Sequence, residues 1–275
     1  MDKHNEVKAT RIGIAGLGTI GKTLARAIDA GIPGMTLGAV AARNIQAAQD
    51  WIAAELKHPV PVTGLESLVE HCDLVIECAP AALMPTLGAP VLKAGKKLVV
   101  LSSGALLEHA HLIELARAHG GQILVPTGAL LGLDAVIAAA EGEIRSVRMV
   151  SRKPVEGFRG APFLAANNID IEGITEPLRI FAGKAREAAT GFPANLNVAI
   201  SLSLAGIGPD RTELEIWADP TITRNTHSIT VDSDAASFTM TIQNIPSENP
   251  KTGRITAQSV IALLRKLGAP LAVGT

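Results

Sequence analysis

Tyrosine is absent from this 275-residue chain, and aromatic residues make up only 3% of it. That excludes any mechanism in which a phenolic hydroxyl delivers a proton, as in the short-chain dehydrogenases. An excess of one charge is also missing: 25 Lys and Arg stand against 26 Asp and Glu, for a formal net charge of −1. Such a surface offers no basic field for nucleic acid or an anionic membrane. The two cysteines, Cys72 and Cys78, lack CxxC or Cys/His spacing, so no metal site is expected and both read as reduced core residues of a cytoplasmic protein. The polar residues before Arg11 hold no apolar signal core, and no uncharged apolar run reaches about 18 residues, so neither a secretory signal nor a membrane span is expected. What the chain does have is apolar content, 47% of its residues, enough for a full core without disulfides. Its length favours two modest domains.

Up to Val125 the chain alternates strand and helix. Strands are expected at 11–15, 36–41, 60–62, 73–78, 97–101 and 122–125, with helices at 45–56 behind Asn44 as N-cap, 83–92 and 106–118. Near-continuous apolar strands such as Leu74-Val75-Ile76 fit a parallel sheet covered on both faces. Beyond Pro126 the strands lengthen and partly alternate: 144–152, 212–217, 228–231 and 237–243, the last two joined by the turn-forming Asp232-Ser233-Asp234. Helices are expected at 183–189 and 195–204, and a last periodic helix at 256–267. The fold class is therefore α/β, an N-terminal Rossmann-type doubly wound parallel sheet followed by a second α+β domain. The C-terminal helix returns to the first domain. The expected domains are 1–130, 131–248 and the C-terminal segment 249–275.

The first strand runs directly into Gly16-Leu17-Gly18-Thr19-Ile20-Gly21, and a helix with Leu24, Ala25 and Ile28 on one face follows. In this strand–turn–helix setting Gly16 permits the turn, Gly18 lets the backbone approach a pyrophosphate and Gly21 allows close packing of helix on strand. The helix N-terminus adds unpaired N–H donors. The second strand of such folds commonly ends in a carboxylate that reads the adenosine ribose; here it ends Val40-Ala41-Ala42-Arg43-Asn44. Arg43 is placed to meet a 2′-phosphate, with NAD accommodated through Asn44 and backbone. Small polar turns at Cys78-Ala79-Pro80, at Ser103 and its neighbours, and at Pro126–Ala129 follow other strands and are expected to border the nicotinamide.

His227 is the one histidine beyond position 119. At the start of a strand it reads either as a structural hydrogen-bonder or as an acid–base group. Asn195 and Asn197 open an apolar helix; one suffices as N-cap, leaving the other for ligand contact. Arg152, Lys153, Arg224 and Lys251 are candidate carboxylate binders, or merely solvated loop residues.

These stretches, taken together, resemble the L-aspartate dehydrogenase family from Arg11 to about Leu267. The resemblance rests on Gly16–Gly21, Ser103-Gly104-Ala105-Leu106, Gly128-Ala129 with Gly132-Leu133-Asp134-Ala135, and Asn195-Leu196-Asn197-Val198-Ala199. It continues through Leu202–Gly206, Ala218-Asp219-Pro220, Arg224-Asn225-Thr226-His227 and Asn249-Pro250-Lys251-Thr252. It implies oxidation of L-aspartate, or the reverse amination of oxaloacetate, with NAD or NADP. It also implies a catalytic histidine at His227 and nicotinamide-side contacts at Ala129 and Asn197. An ordinary imidazole, with a pKa near 6.5, suits both acid and base work. The expected partner is the small-molecule substrate, and the expected assembly a homodimer through the second-domain sheet. Rival readings are another two-domain reductase, homoserine dehydrogenase-like or dihydrodipicolinate reductase-like, and a non-catalytic NAD(P)H sensor. A sensor calls for a DNA-binding helix-turn-helix or a basic surface, and neither is evident.

Overall fold

The structure is a computed structural model that describes residues 9–192, 196–247 and 253–274. These divide into two units, one running to Pro126 and including Val260–Val273, the other running from Thr127 to Ser259 and including Gly274.

The first unit holds six parallel strands, β1 (Thr10–Ala15), β2 (Met35–Ala41), β3 (Val62–Thr63), β4 (Leu74–Glu77), β5 (Lys97–Val100) and β6 (Gln122–Leu124), in the order 3-2-1-4-5-6. That is the strand order of a dinucleotide-binding sheet. Its helices are α1 (Thr19–Asp29), α2 (Ile45–Glu55), α3 (Met84–Lys93), α4 (Ala105–Glu108) and α5 (His111–His119). All of β4 is buried, as the covered faces of a doubly wound sheet require. Asn44 caps α2 as expected, its Oδ1 accepting from Ala47 N at 3.0 Å. The helix expected over 106–118 is instead two helices, broken at His109. Leu106 and Leu112 are both buried. A straight helix would set them about 120° apart around its axis, so the break lets both reach the core.

The second unit contributes α6 (Leu133–Ala140), β7 (Ile144–Lys153), α7 (Pro162–Ala166), β8 (Leu178–Lys184), α8 (Ala185–Gly191), α9 (Asn197–Ala205), β9 (Glu213–Ala218), β10 (Asn225–Ser233) and β11 (Ser237–Asn244). Its sheet order is 11-10-7-9-8, with β7 and β9 parallel and the other pairs antiparallel. Phe158, Phe163, Phe181 and Phe192 pack ring to ring in its core, centroids 5.0 to 6.1 Å apart. The last helix, α10 (Ile255–Gly268), passes from the second unit into the first at Val260. Its C-terminal end lines a groove with Thr10, Gly34 and Met35.

Three expectations are corrected here. The helix expected from Gly183 begins only at Ala185. Gly183 and Lys184 finish β8, pairing with Leu214 and Glu213, and Glu187 reaches back to accept from Lys184 N. The turn expected at 232–234 is tighter, because Asp232 and Ser233 still belong to β10 and the Ser233 N–H and hydroxyl both donate to Ala236 O. And β10 starts at Asn225, which sets His227 inside the strand.

Candidate active site

The turn from β1 into α1 depends on two glycines. Gly16 sits at φ 106°, and a Cβ there would stand 2.6 Å from the Cys78 carbonyl oxygen. A Cβ at Gly21 would collide with the Gly16 carbonyl, so α1 lies closer to the turn than any side chain permits. Gly18, by contrast, faces open space with nothing within 4 Å of a built Cβ. It occupies the N-cap of α1 and offers no side-chain cap, so the first-turn N–H groups of Thr19, Ile20 and Gly21 stay available to an anion.

That open space is one cleft of about 1090 Å³ in the first unit. Gly16, Gly18, Arg43, Asn44, Cys78, Ala79 and Pro80 all line it. The residues present therefore fit a dinucleotide: a glycine turn without side chains, a helix N-terminus, and the ends of β1, β2 and β4 around one opening. Two further lining residues escaped the sequence reading. Trp51 on α2 lies beneath Lys22 Nζ, 5.4 Å from its ring centroid, and Arg26 covers the same ring at 5.2 Å. Their signal was the helical spacing that carries Trp51 to the face of α2 behind Asn44. Ser103 is fully buried and lies outside this lining.

Glu77, at the end of β4, was also missed. It is 1% exposed, and both carboxylate oxygens are used: Oε2 accepts from the N–H groups of Leu101 (3.1 Å) and Ser102 (2.8 Å), Oε1 from Ser102 Oγ (3.1 Å). Burial pushes its pKa up while these donors oppose the rise. One side chain thus ties the turn after β4 to the turn after β5.

The remaining predicted residues lie in the second unit. Ala129 presents its carbonyl to Asn244 Nδ2 at 2.9 Å, and the neighbouring Gly128 N–H donates to Ser259 Oγ at 3.0 Å, so this backbone is held from two sides. Asn197 opens α9 half-buried; Asn195 and Lys251 lie outside the described residues. His227 is buried, with its Nδ1 unpartnered. Burial, and then the charge of Lys153, lower its pKa from 6.5 to about 3. This corrects the expectation of an ordinary imidazole: His227 here is a neutral group with an unpartnered ring nitrogen, and burial weakens it as a base. Of the candidate cations, Arg152 stacks over Trp217 at 4.6 Å and pairs with Asp219, whereas Arg224 is exposed. Lys153 is not a solvated loop residue; it ends β7, 5% exposed, and burial lowers its pKa to about 8.

Comparison with known proteins agrees with this geometry. A family profile described as "Aspartate dehydrogenase, C-terminal" matches residues 134–267, and one described as "Homoserine dehydrogenase, NAD binding domain" matches residues 16–126. L-aspartate dehydrogenase 3 of Bordetella bronchiseptica is 62% identical over 96% of this chain and 97% of its own length. The L-aspartate dehydrogenase of Bradyrhizobium diazoefficiens is 58% identical over 96% and 94% respectively. Among solved structures, the aspartate dehydrogenase of Thermotoga maritima superposes with a TM-score of 0.72, covering 96% of this chain and 99% of that one at 21% identity, which speaks for the fold.

Proposed function

The chain belongs to the L-aspartate dehydrogenase family, and from that premise we propose that it oxidises L-aspartate at Cα to iminosuccinate. It is an oxidoreductase acting on a CH–NH2 group with NAD or NADP as coenzyme. The bound coenzyme supplies the hydride acceptor at its nicotinamide C4. Every other task falls to the chain. The Gly16–Gly21 turn and the first turn of α1 receive the pyrophosphate. Arg43, exposed at the rim of the cleft, reaches a 2′-phosphate, so NADP is accepted as well as NAD.

The observation that carries the chemistry is the buried His227 with its unpartnered Nδ1. Oxidation at Cα requires the α-ammonium to lose a proton before its nitrogen can support the C=N bond. A neutral imidazole accepts that proton, and the two carboxylates of aspartate bring negative charge that strengthens it as a base. Water then adds to the imine and ammonia leaves, giving oxaloacetate; released intact, iminosuccinate feeds pyridine nucleotide synthesis. Holding the reacting groups in near-attack geometry contributes roughly 7–11 kcal/mol at best.

The protein works in the cytoplasm as a homodimer. The face of the second-unit sheet that carries Arg148, Glu215, Arg152, Trp217, Ser228 and Thr241 is the surface this dimer would use. No helix among the described residues is long and apolar enough to cross a membrane.

The test is oxidation of NADH or NADPH by oxaloacetate plus ammonia, followed at the nicotinamide absorbance band. Turnover with oxaloacetate, and about 10⁴-fold less with pyruvate, is expected, because a site built for a second carboxylate leaves its donors unpaired when that group is missing. Equal turnover of the two keto acids overturns the assignment.

A further inference from the structure

We infer that Lys153 is a positioning residue of this reaction, whose ammonium group, on the same sheet face as His227, tunes how readily the buried imidazole takes a proton. The inference rests on the reading of His227 as the base.

The geometry begins with register. In the antiparallel pair β7–β10, His227 stands opposite Ser151. Lys153 is two residues further along β7, so its side chain leaves the same face of the sheet, at the diagonal position, about 7–8 Å away and within reach of a long side chain. On the other flank of β10 the residue opposite His227 is Ile242, which is apolar. Among the described residues Lys153 is a charged neighbour of His227 on that face, and it is the one whose charge acts on the imidazole.

The layer is dry. Ser151, Lys153 and His227 are 4%, 5% and 2% exposed. Phe158 lies under the ammonium, with Nζ 5.8 Å from the ring centroid. Beside Lys153, Met149, Phe158 and Ala199 border a space with no room for a water molecule. In such a medium a like charge is felt strongly, and protonating His227 would put two cations side by side. Lys153, at a pKa of about 8, is charged at neutral pH. Burial already keeps the imidazole neutral and the ammonium adds to that; an anionic substrate that offsets the ammonium makes the imidazole a stronger base for the α-ammonium proton.

The deciding measurement is an NMR titration of the His227 ring protons, assigned by His227→Gln, in the wild-type chain, Lys153→Met and Lys153→Arg. Lys153→Met is expected to raise the His227 pKa by about one unit or more, while Lys153→Arg keeps it low. In the same variants the acidic limb of kcat/KM for aspartate oxidation moves up with Met and not with Arg, and coenzyme affinity is unchanged. An identical His227 titration in Lys153→Met and wild type overturns the inference, as does a loss confined to thermal stability. The titration needs no turnover. If the wild-type chain fails to oxidise aspartate, the proposed function falls while the coupling of Lys153 to His227 is still decided.

Discussion

Both units bury ionisable side chains on their strands, and they treat them in opposite ways. Glu77 in the first unit has a donor for each carboxylate oxygen and serves to fix two turns. In the second unit His227 Nδ1 has no partner, and Lys153 lies beneath a strand-and-helix layer that depresses its own pKa. The cost of the second arrangement is real, since a buried polar group left unsatisfied is destabilising by about 1–3 kcal/mol. The contrast follows the work. A coenzyme is held by backbone groups that must not move, so the groups around them are tied down. On the proposed function His227 is a proton acceptor, which needs a free lone pair, and its unit leaves one unsatisfied.

That contrast can be broken at Lys153. Folding holds its pKa at about 8 against an ordinary 10.5, a penalty of about 3 kcal/mol below pH 8. Because the unfolded chain binds the proton more tightly, the penalty shrinks as pH rises from 8 and is gone above 10.5. Lys153→Met should thus unfold at higher denaturant concentration than the wild type at pH 7 and at the same concentration near pH 11. Equal midpoints at pH 7 would mean that the ammonium carries no desolvation cost.

On the coenzyme side, Gly18→Val sharpens the comparison, because a Cβ there meets no protein atom. Fold and kcat at saturating coenzyme should survive while coenzyme affinity falls roughly 30-fold, equivalent to about 2 kcal/mol, the loss of one charge-assisted hydrogen bond. A fluorescence titration with NADH reads it. The smallest effect is expected at Arg43, exposed at the cleft rim. Arg43→Ala should raise the KM for NADPH about tenfold, near the 1.4 kcal/mol of an exposed charge-assisted contact, and leave that for NADH alone. Equal changes would remove Arg43 from the 2′-phosphate.

How far the sequence reached differs between the units for the same physical reason. The first unit's site is made of backbone, and backbone needs leave marks in sequence: Gly16 and Gly21 where no side chain fits, Asn44 where a helix begins, unbroken apolar runs where both faces are covered. Second-unit features depend on which face a strand presents. Lys153, read as a candidate carboxylate binder beside Arg152, shares the period-2 pattern of Val147, Met149 and Ser151, and extending β7 by that pattern would have placed it inside. α6 carried no side-chain cap, since Gly132 enters it at φ 62°, and β8 was hidden because Gly183 and Lys184 read as a helix start. The lowered pKa of His227 depends on burial, which one residue in a strand does not announce.

The division of labour between the units is tested most directly at His227. In His227→Ala, kcat for aspartate oxidation and coenzyme affinity are measured on the same folded sample. A fall in kcat of at least about 100-fold with an unchanged coenzyme dissociation constant is expected, the usual contribution of a positioned acid–base group. A folded, coenzyme-binding His227→Ala protein that turns over like the wild type would contradict it.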